Sequence, residues 1–141
     1  MRSENPFSIS NMGIGGTPFP TFYNSPEEEQ SFSQRDLDNN LTSCMITGNN
    51  EVGKGKNGYA LLGKVVWVSQ ECYPETEIPN LVAVQARGVA RFKIGEEGVT
   101  LNDPVQLARG GKVMAAPRDQ TGYGVVISID SEENWCDVWL S

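Results

Sequence analysis

The sequence predicts an all-β protein: a small antiparallel barrel or sandwich, preceded by an extended, mostly irregular N-terminal arm. Three observations carry this expectation. Residues 81–94 alternate between two faces for fourteen positions, the period-2 signature of a half-buried strand. The 141 residues include 15 Gly and 8 Pro, too much punctuation for a helix bundle. Residues 44–141 break into short apolar runs bounded by turn residues, whereas residues 1–43 keep no period of 2 or 3.6 for long.

The strands of the second part follow in order. Gly58 to Ser69 is a strand candidate with a break at Gly63. In the run from Leu81 to Ile94, Val82, Val84, Ala86, Gly88, Ala90, Phe92 and Ile94 fall on one face. Leu81, Ala83, Gln85, Arg87, Val89, Arg91 and Lys93 fall on the other, which turns polar towards its end, and Gly88 predicts a bend or bulge. Leu101-Asn102-Asp103-Pro104 is a turn before Val105-Gln106-Leu107. Gly110-Gly111 turns the chain tightly into Lys112-Val113-Met114-Ala115. Tyr123 to Asp130 and Trp135 to Leu140 form a C-terminal hairpin around the turn 130–134. About six or seven short strands with little helix imply a barrel or sandwich. Trp135 and Trp139 share a strand face, which favours core or subunit packing over a ligand platform.

Residues 1–43 form the expected arm and residues 44–141 the β domain. The arm is rich in Pro, Gly, Ser and Asn, and should not build a core of its own. Yet it holds four of the five Phe, and rings exposed to water gain nothing. Phe7, Ile9, Phe19, Phe22, Tyr23 and Phe32 are therefore the candidate anchors of an arm that lies in grooves, either on a partner or wrapped on its own domain. A short helix is expected at about 26–37, with Ser25 as cap, Pro26 at its first position and Glu27 to Glu29 at the positive end of its dipole. Forty residues reach roughly 130 Å at about 3.3 Å each. Ordering them costs on the order of 1–2 kcal/mol per residue. Ring burial at about 1.5–3 kcal/mol per side chain offsets only part of that, so strand addition and many copies must supply the rest.

Composition excludes several classes of chemistry. Histidine is absent, which removes Ser-His triads, Cys-His dyads and His-ligated zinc. A net charge of -7 argues against nucleic acid as the main partner. No run of about 18 apolar residues predicts a membrane span, and the first residues do not read as a signal peptide. Cys44, Cys72 and Cys136 are odd in number and far apart, consistent with small buried thiols rather than disulfides or zinc.

The motifs with chemical overtones each meet a simpler reading. Gly48 to Lys54 matches the frame of a phosphate loop, but Gly55 stands where Ser or Thr should hold magnesium, and no helix follows. A loop between strands is the better reading. Asp36-Leu37-Asp38-Asn39-Asn40 has calcium-loop spacing at its start, but Leu41 and Thr47 occupy the Gly and Glu positions. A helix end followed by a turn explains it. Glu96-Glu97 and Glu132-Glu133 are neighbours in exposed turns, where no acid is desolvated enough to hold its proton. Nothing marks Ser69 or Ser128, near Lys64 in type only, as a strained nucleophile. Arg87, Arg91 and Lys93 line one strand face: either a basic stripe for an acidic partner surface, or a solvated face paired with carboxylates. No cofactor or metal is expected.

The stretch from Leu81 to Leu140 resembles phage head decoration, or capsid cement, proteins. The matching features are Val82 to Phe92, Asp103-Pro104-Val105, Gly110-Gly111-Lys112-Val113, Gly124-Val125-Val126 and Val138-Trp139-Leu140. The likeness spans about 60 residues and consists of strands and turns, with no catalytic signature. It implies a non-enzymatic virion protein, made in the host cytoplasm and placed on the outer capsid surface. It further implies the major capsid protein and the chain's own copies as partners, often in a trimer, with an N-terminal arm in some members. The 48–58 loop is less typical of the family. The alternative from another class is a carbohydrate-binding or tail-tip adhesion module.

Overall fold

The computed structural model describes residues 19–117 and 124–141. These residues form an all-β protein with one five-residue helix. A closed barrel is built from β1 (Thr21–Asn24), β2 (Ser43–Gly48), β3 (Glu51–Gly53), β4 (Gly63–Val68) and β5 (Leu81–Gln85). Its order is β1-β3-β2-β4-β5, with β5 pairing back to β1. The rest comprises β6 (Gly88–Lys93), β7 (Val105–Ala108), β8 (Lys112–Ala115), β9 (Gly124–Asp130) and β10 (Trp135–Leu140). Strands β6-β10-β9 form an antiparallel sheet, and β7-β8 a hairpin beside it.

The long alternating run is one pattern serving two cores. Its even face is buried at Val82, Val84, Ala90, Phe92 and Ile94 and exposed at Ala86 and Gly88, and Val82 and Val84 pack in the barrel with Phe32, Val52 and Val65. Ala90, Phe92 and Ile94 pack in the second core with Leu107, Val126 and Val138. Gly88, with φ of +87°, makes the corner between them. The left-handed region is open to Gly at no steric cost, so the predicted bend is a full change of sheet.

The arm boundary at residue 43 is corrected by the structure. Residues 19–43 belong to the barrel. β1 pairs antiparallel with β5, Thr21 opposite Ala83, and parallel with β3, Tyr23 opposite Glu51. Phe32 is 0 % exposed at the centre of the barrel core, and Phe22 packs against its edge. The buried Asn24 amide fixes the return path: its Nδ2 donates to the carbonyls of Phe32 and Pro79, and its Oδ1 accepts from the Phe32 N–H. The composition was a poor guide because β1 finds its partners far downstream, where no local period reports them. Residues 1–18, including Phe7 and Ile9, lie outside the described residues.

The helix is shorter and later than expected. Ser25 Oγ does accept from the Glu27 N–H, and Gln30 N–H closes one turn on the Glu27 carbonyl. The chain then extends to insert Phe32, which ends any helix begun at Pro26. Helix α1 runs Gln34–Asp38, capped by a reciprocal Ser33–Asp36 box. The turn after it follows the expectation, with Asn40 at φ of +58°. The 48–58 stretch differs from a plain loop: a turn at Asn49-Asn50 returns the chain as β3, which closes the barrel against β1.

The two cores are tied along their seam. Ser43 N–H donates to the Gly111 carbonyl and its Oγ to the Lys112 carbonyl. Lys93 N–H donates to the Asn40 carbonyl, and Leu107 N–H to that of Tyr59. Lys64 reaches from β4 to donate to Asn40 Oδ1 and to the Arg91 carbonyl, at 3.2 and 2.7 Å. Its ammonium lies 5.9 Å from the centre of the Phe92 ring.

Candidate interaction surface

The outer face of the β6-β10-β9 sheet is the surface that the fold leaves least explained. Alternation sends Cys136, Val138 and Leu140 inward, so Trp135, Asp137 and Trp139 face out. Register then assembles rows across three strands. Trp139 lies between Val89 on β6 and Val125 on β9. Trp139 is 59 % exposed and Val89 52 %. A register shift opposite Asp137 and Val138 inserts Ile127 into β9 as an extra residue, and Ile127 is exposed beside Val125. Apolar side chains thus stand in water where polar ones would suffice.

The next row is polar and closed on itself. Arg91 Nε donates to Asp137 Oδ1 at 3.0 Å, and Ser128 Oγ donates to Asp137 Oδ2 at 3.1 Å. The Arg91 guanidinium lies 3.4 Å from the centre of the Trp135 ring, a stacked cation–π contact. The hydrogen bond to Asp137 raises the Arg91 pKa further above its ordinary value, so the guanidinium keeps its charge. Lys93 Nζ donates to the Glu133 carbonyl. The sheet therefore presents a greasy end at Trp139 and a rigid, charge-matched end at Trp135.

Several expectations change here. Arg87, Arg91 and Lys93 do not form one stripe. Arg91 is paired with Asp137, Lys93 is held by a turn carbonyl, and Arg87 stands apart before the Gly88 corner. The solvated-face reading of Arg91 is the one the geometry favours. Trp135 and Trp139 are not core residues, because strand phase turns them outward. Phe32 cannot anchor a partner, since its own barrel encloses it. Phe19 and Tyr23, 48 % and 54 % exposed, keep accessible rings, while Phe22 is half-buried. Val89, Val125 and Ile127 went unnoticed in the sequence. For Val89 the available signal was an apolar residue on the increasingly polar phase of an alternating strand; Val125 and Ile127 stand on the apolar phase of theirs, and no local pattern turns them outward.

The remaining motifs stay apart. Glu96, Glu97, Glu132 and Glu133 are all exposed. Ser69 Oγ lies within hydrogen-bond distance of both the Glu71 carbonyl and Asn80 Oδ1 and accepts from the Leu81 N–H, and Ser128 is committed to Asp137. Burial pushes the Cys44 and Cys136 thiols up to about 12, far from the thiolate that nucleophilic or metal chemistry needs. Among the described residues no three His, Cys, Asp or Glu side chains gather to hold a metal ion. No helix among them is long and apolar enough to cross a membrane. No protein-family model matches the chain, and no curated protein matches it.

Proposed function

We propose that this protein is a phage head decoration protein, a non-catalytic cement that binds the outside of the capsid and strengthens contacts between major capsid protein subunits. The observation that carries the reading is the apolar row Val89–Trp139–Val125 on a sheet whose opposite face already has a complete core. Exposed apolar surface of this kind is retained where something covers it. Aromatic and aliphatic side chains at the centre of a patch, ringed by polar ones, are the usual composition of a protein-binding site.

Magnitude decides how the surface is used. Three strands about 4.8 Å apart and six residues long present roughly 300 Å². A stable interface needs about 800 Å² per partner. The sheet face is therefore one contact among several, and avidity from many copies on a regular lattice supplies the remainder. Residues 1–18, with Phe7 and Ile9, and the exposed rings of Phe19 and Tyr23 add further contacts to the capsid in this reading. Association of the chain with its own copies, as a trimer, places several sheet faces and arms on one complex.

The exposed Trp139 ring on the outer sheet face also suits a sugar face, which is the adhesion-module reading. The two separate experimentally. Under the cement reading, purified protein co-sediments with expanded, undecorated heads, and Trp139→Ser weakens this at least tenfold. Undiminished capsid binding by Trp139→Ser would remove the sheet face from the proposal. Glycan-array binding by the protein, with no affinity for heads, would replace the cement reading with the adhesion reading.

A further inference from the structure

An apolar groove of about 480 Å³ opens beside the Gly88 corner, lined by Ile46, Tyr59, Leu62 and Ala86 with Arg87 at its rim. Ile46 and Tyr59 are exposed there, although each has an apolar body large enough to be worth burying. The geometry points to one occupant: the N-terminal segment 1–18 of the same chain, docked through its apolar side chains. This goes beyond the capsid reading and does not depend on it.

Three observations support that choice. First, β1 runs antiparallel to β5, with Thr21 opposite Ala83 and Tyr23 opposite Leu81. The chain therefore enters β1 from the Gln85–Arg87 end of β5, and the Pro20 carbonyl already accepts from the Val84 N–H. The described chain thus starts, at Phe19, beside the end of β5 that runs on to Ala86 and Arg87, which line the groove. Second, the segment contains Phe7, Ile9, Met12 and Ile14, while its charged side chains, Arg2 and Glu4, cancel. Third, its 18 residues could span roughly 60 Å at about 3.3 Å each, so reach is not limiting. A segment tethered at the mouth of a groove meets it at millimolar effective concentration, which favours its own chain over a second copy. The groove then acts as a berth that shields the segment's apolar residues and that any external partner must compete with.

The test compares methyl NMR spectra of the full chain and of a variant lacking residues 1–17, which retains every described strand. The expected result is that the Ile46, Leu62 and Ala86 methyl signals differ between the two at all protein concentrations. Synthetic peptide 1–18 added to the truncated chain should move them back towards the full-length positions. The full chain carrying Phe7→Ser and Ile9→Ser should show the truncated chain's groove signals. Identical groove signals in full and truncated chains would overturn the inference. So would a difference that vanishes on dilution, which would mean docking of a second copy, or a difference confined to Val89, Val125 and Ile127. Capsid binding plays no part in this measurement, so its failure leaves the capsid reading standing, and the reverse.

Discussion

The two hydrophobic cores are built by opposite means. The sheet core takes two of its three pairings from neighbours in sequence, the β7–β8 and β9–β10 hairpins, and adds β6 beside β10, which follows more than forty residues later. Its buried side chains are almost entirely apolar. The barrel core is assembled from a distance, since β1 must find β5 about sixty residues later and β3 must pair parallel with β1. It also buries polar groups, Asn24, Ser25, Thr42 and Ser43. Of these, Asn24 and Ser43 are bonded to distant backbone groups and fix the path of the chain, because a buried amide such as Asn24 tolerates only the arrangement that satisfies it. The comparison teaches that local pairing needs little besides apolar alternation, whereas long-range closure needs polar groups that specify one path.

The sharpest way to break the comparison is to empty each core in turn. Phe32→Ala in the barrel and Phe92→Ala in the second core should each cost about 3–5 kcal/mol. Both side chains are fully buried. Each core also contains one buried thiol, Cys44 or Cys136, so disulfide-reagent labelling reports its opening separately. Because the seam is densely bonded, both thiols should become reactive at the same denaturant concentration in either variant. Earlier labelling of Cys44 in Phe32→Ala would show that the barrel opens alone. Cys72, partly exposed, should react before either.

Two glycines sharpen the same contrast at the next level. Gly111 has φ of +86°, and a Cβ there would meet the Leu41 carbonyl oxygen at 2.5 Å across the seam. Gly111→Ala should cost about 2–4 kcal/mol, strain and clash together. Gly88 has a similar φ, but a Cβ would find nothing nearer than Gln85 Nε2 at 3.5 Å. Gly88→Ala should cost only about 1–2 kcal/mol, the left-handed penalty alone. Urea midpoints at constant m-value measure both, and equal losses would mean that the Leu41 contact yields.

Lys64 tests the seam itself. Lys64→Ala should cost about 1.5–3 kcal/mol, since it deletes two hydrogen bonds from a charged donor. Burial, and then the nearby Arg91, push the Lys64 pKa below its ordinary 10.5. Between that lowered value and 10.5 the unfolded chain binds more protons than the folded one, so stability rises with pH across this window. Lys64→Met should flatten that rise in urea titrations. An unchanged slope would assign it to other groups.

The smallest expected stability effect belongs to the surface. Trp139→Ser should change stability by no more than about 0.5 kcal/mol, because surface positions without a structural role rarely do more. Its thermal midpoint should match that of the unchanged protein, while capsid co-sedimentation falls. A large loss of stability would make Trp139 a structural residue and weaken the interaction reading.

The sequence by itself determined the all-β class, the alternation of 81–94, the corner at Gly88, the Gly110-Gly111 turn and the C-terminal hairpin. These features rest on contacts between near neighbours, and period and turn chemistry record such contacts locally. Only the tertiary structure decided that Phe32 fills a barrel, that residues 19–43 belong to that barrel, and that Trp139 stands in water between Val89 and Val125. Each of those outcomes depends on which distant strand lies alongside and in what register. A chain's local pattern gives a residue's phase, but burial is decided by what arrives to cover it.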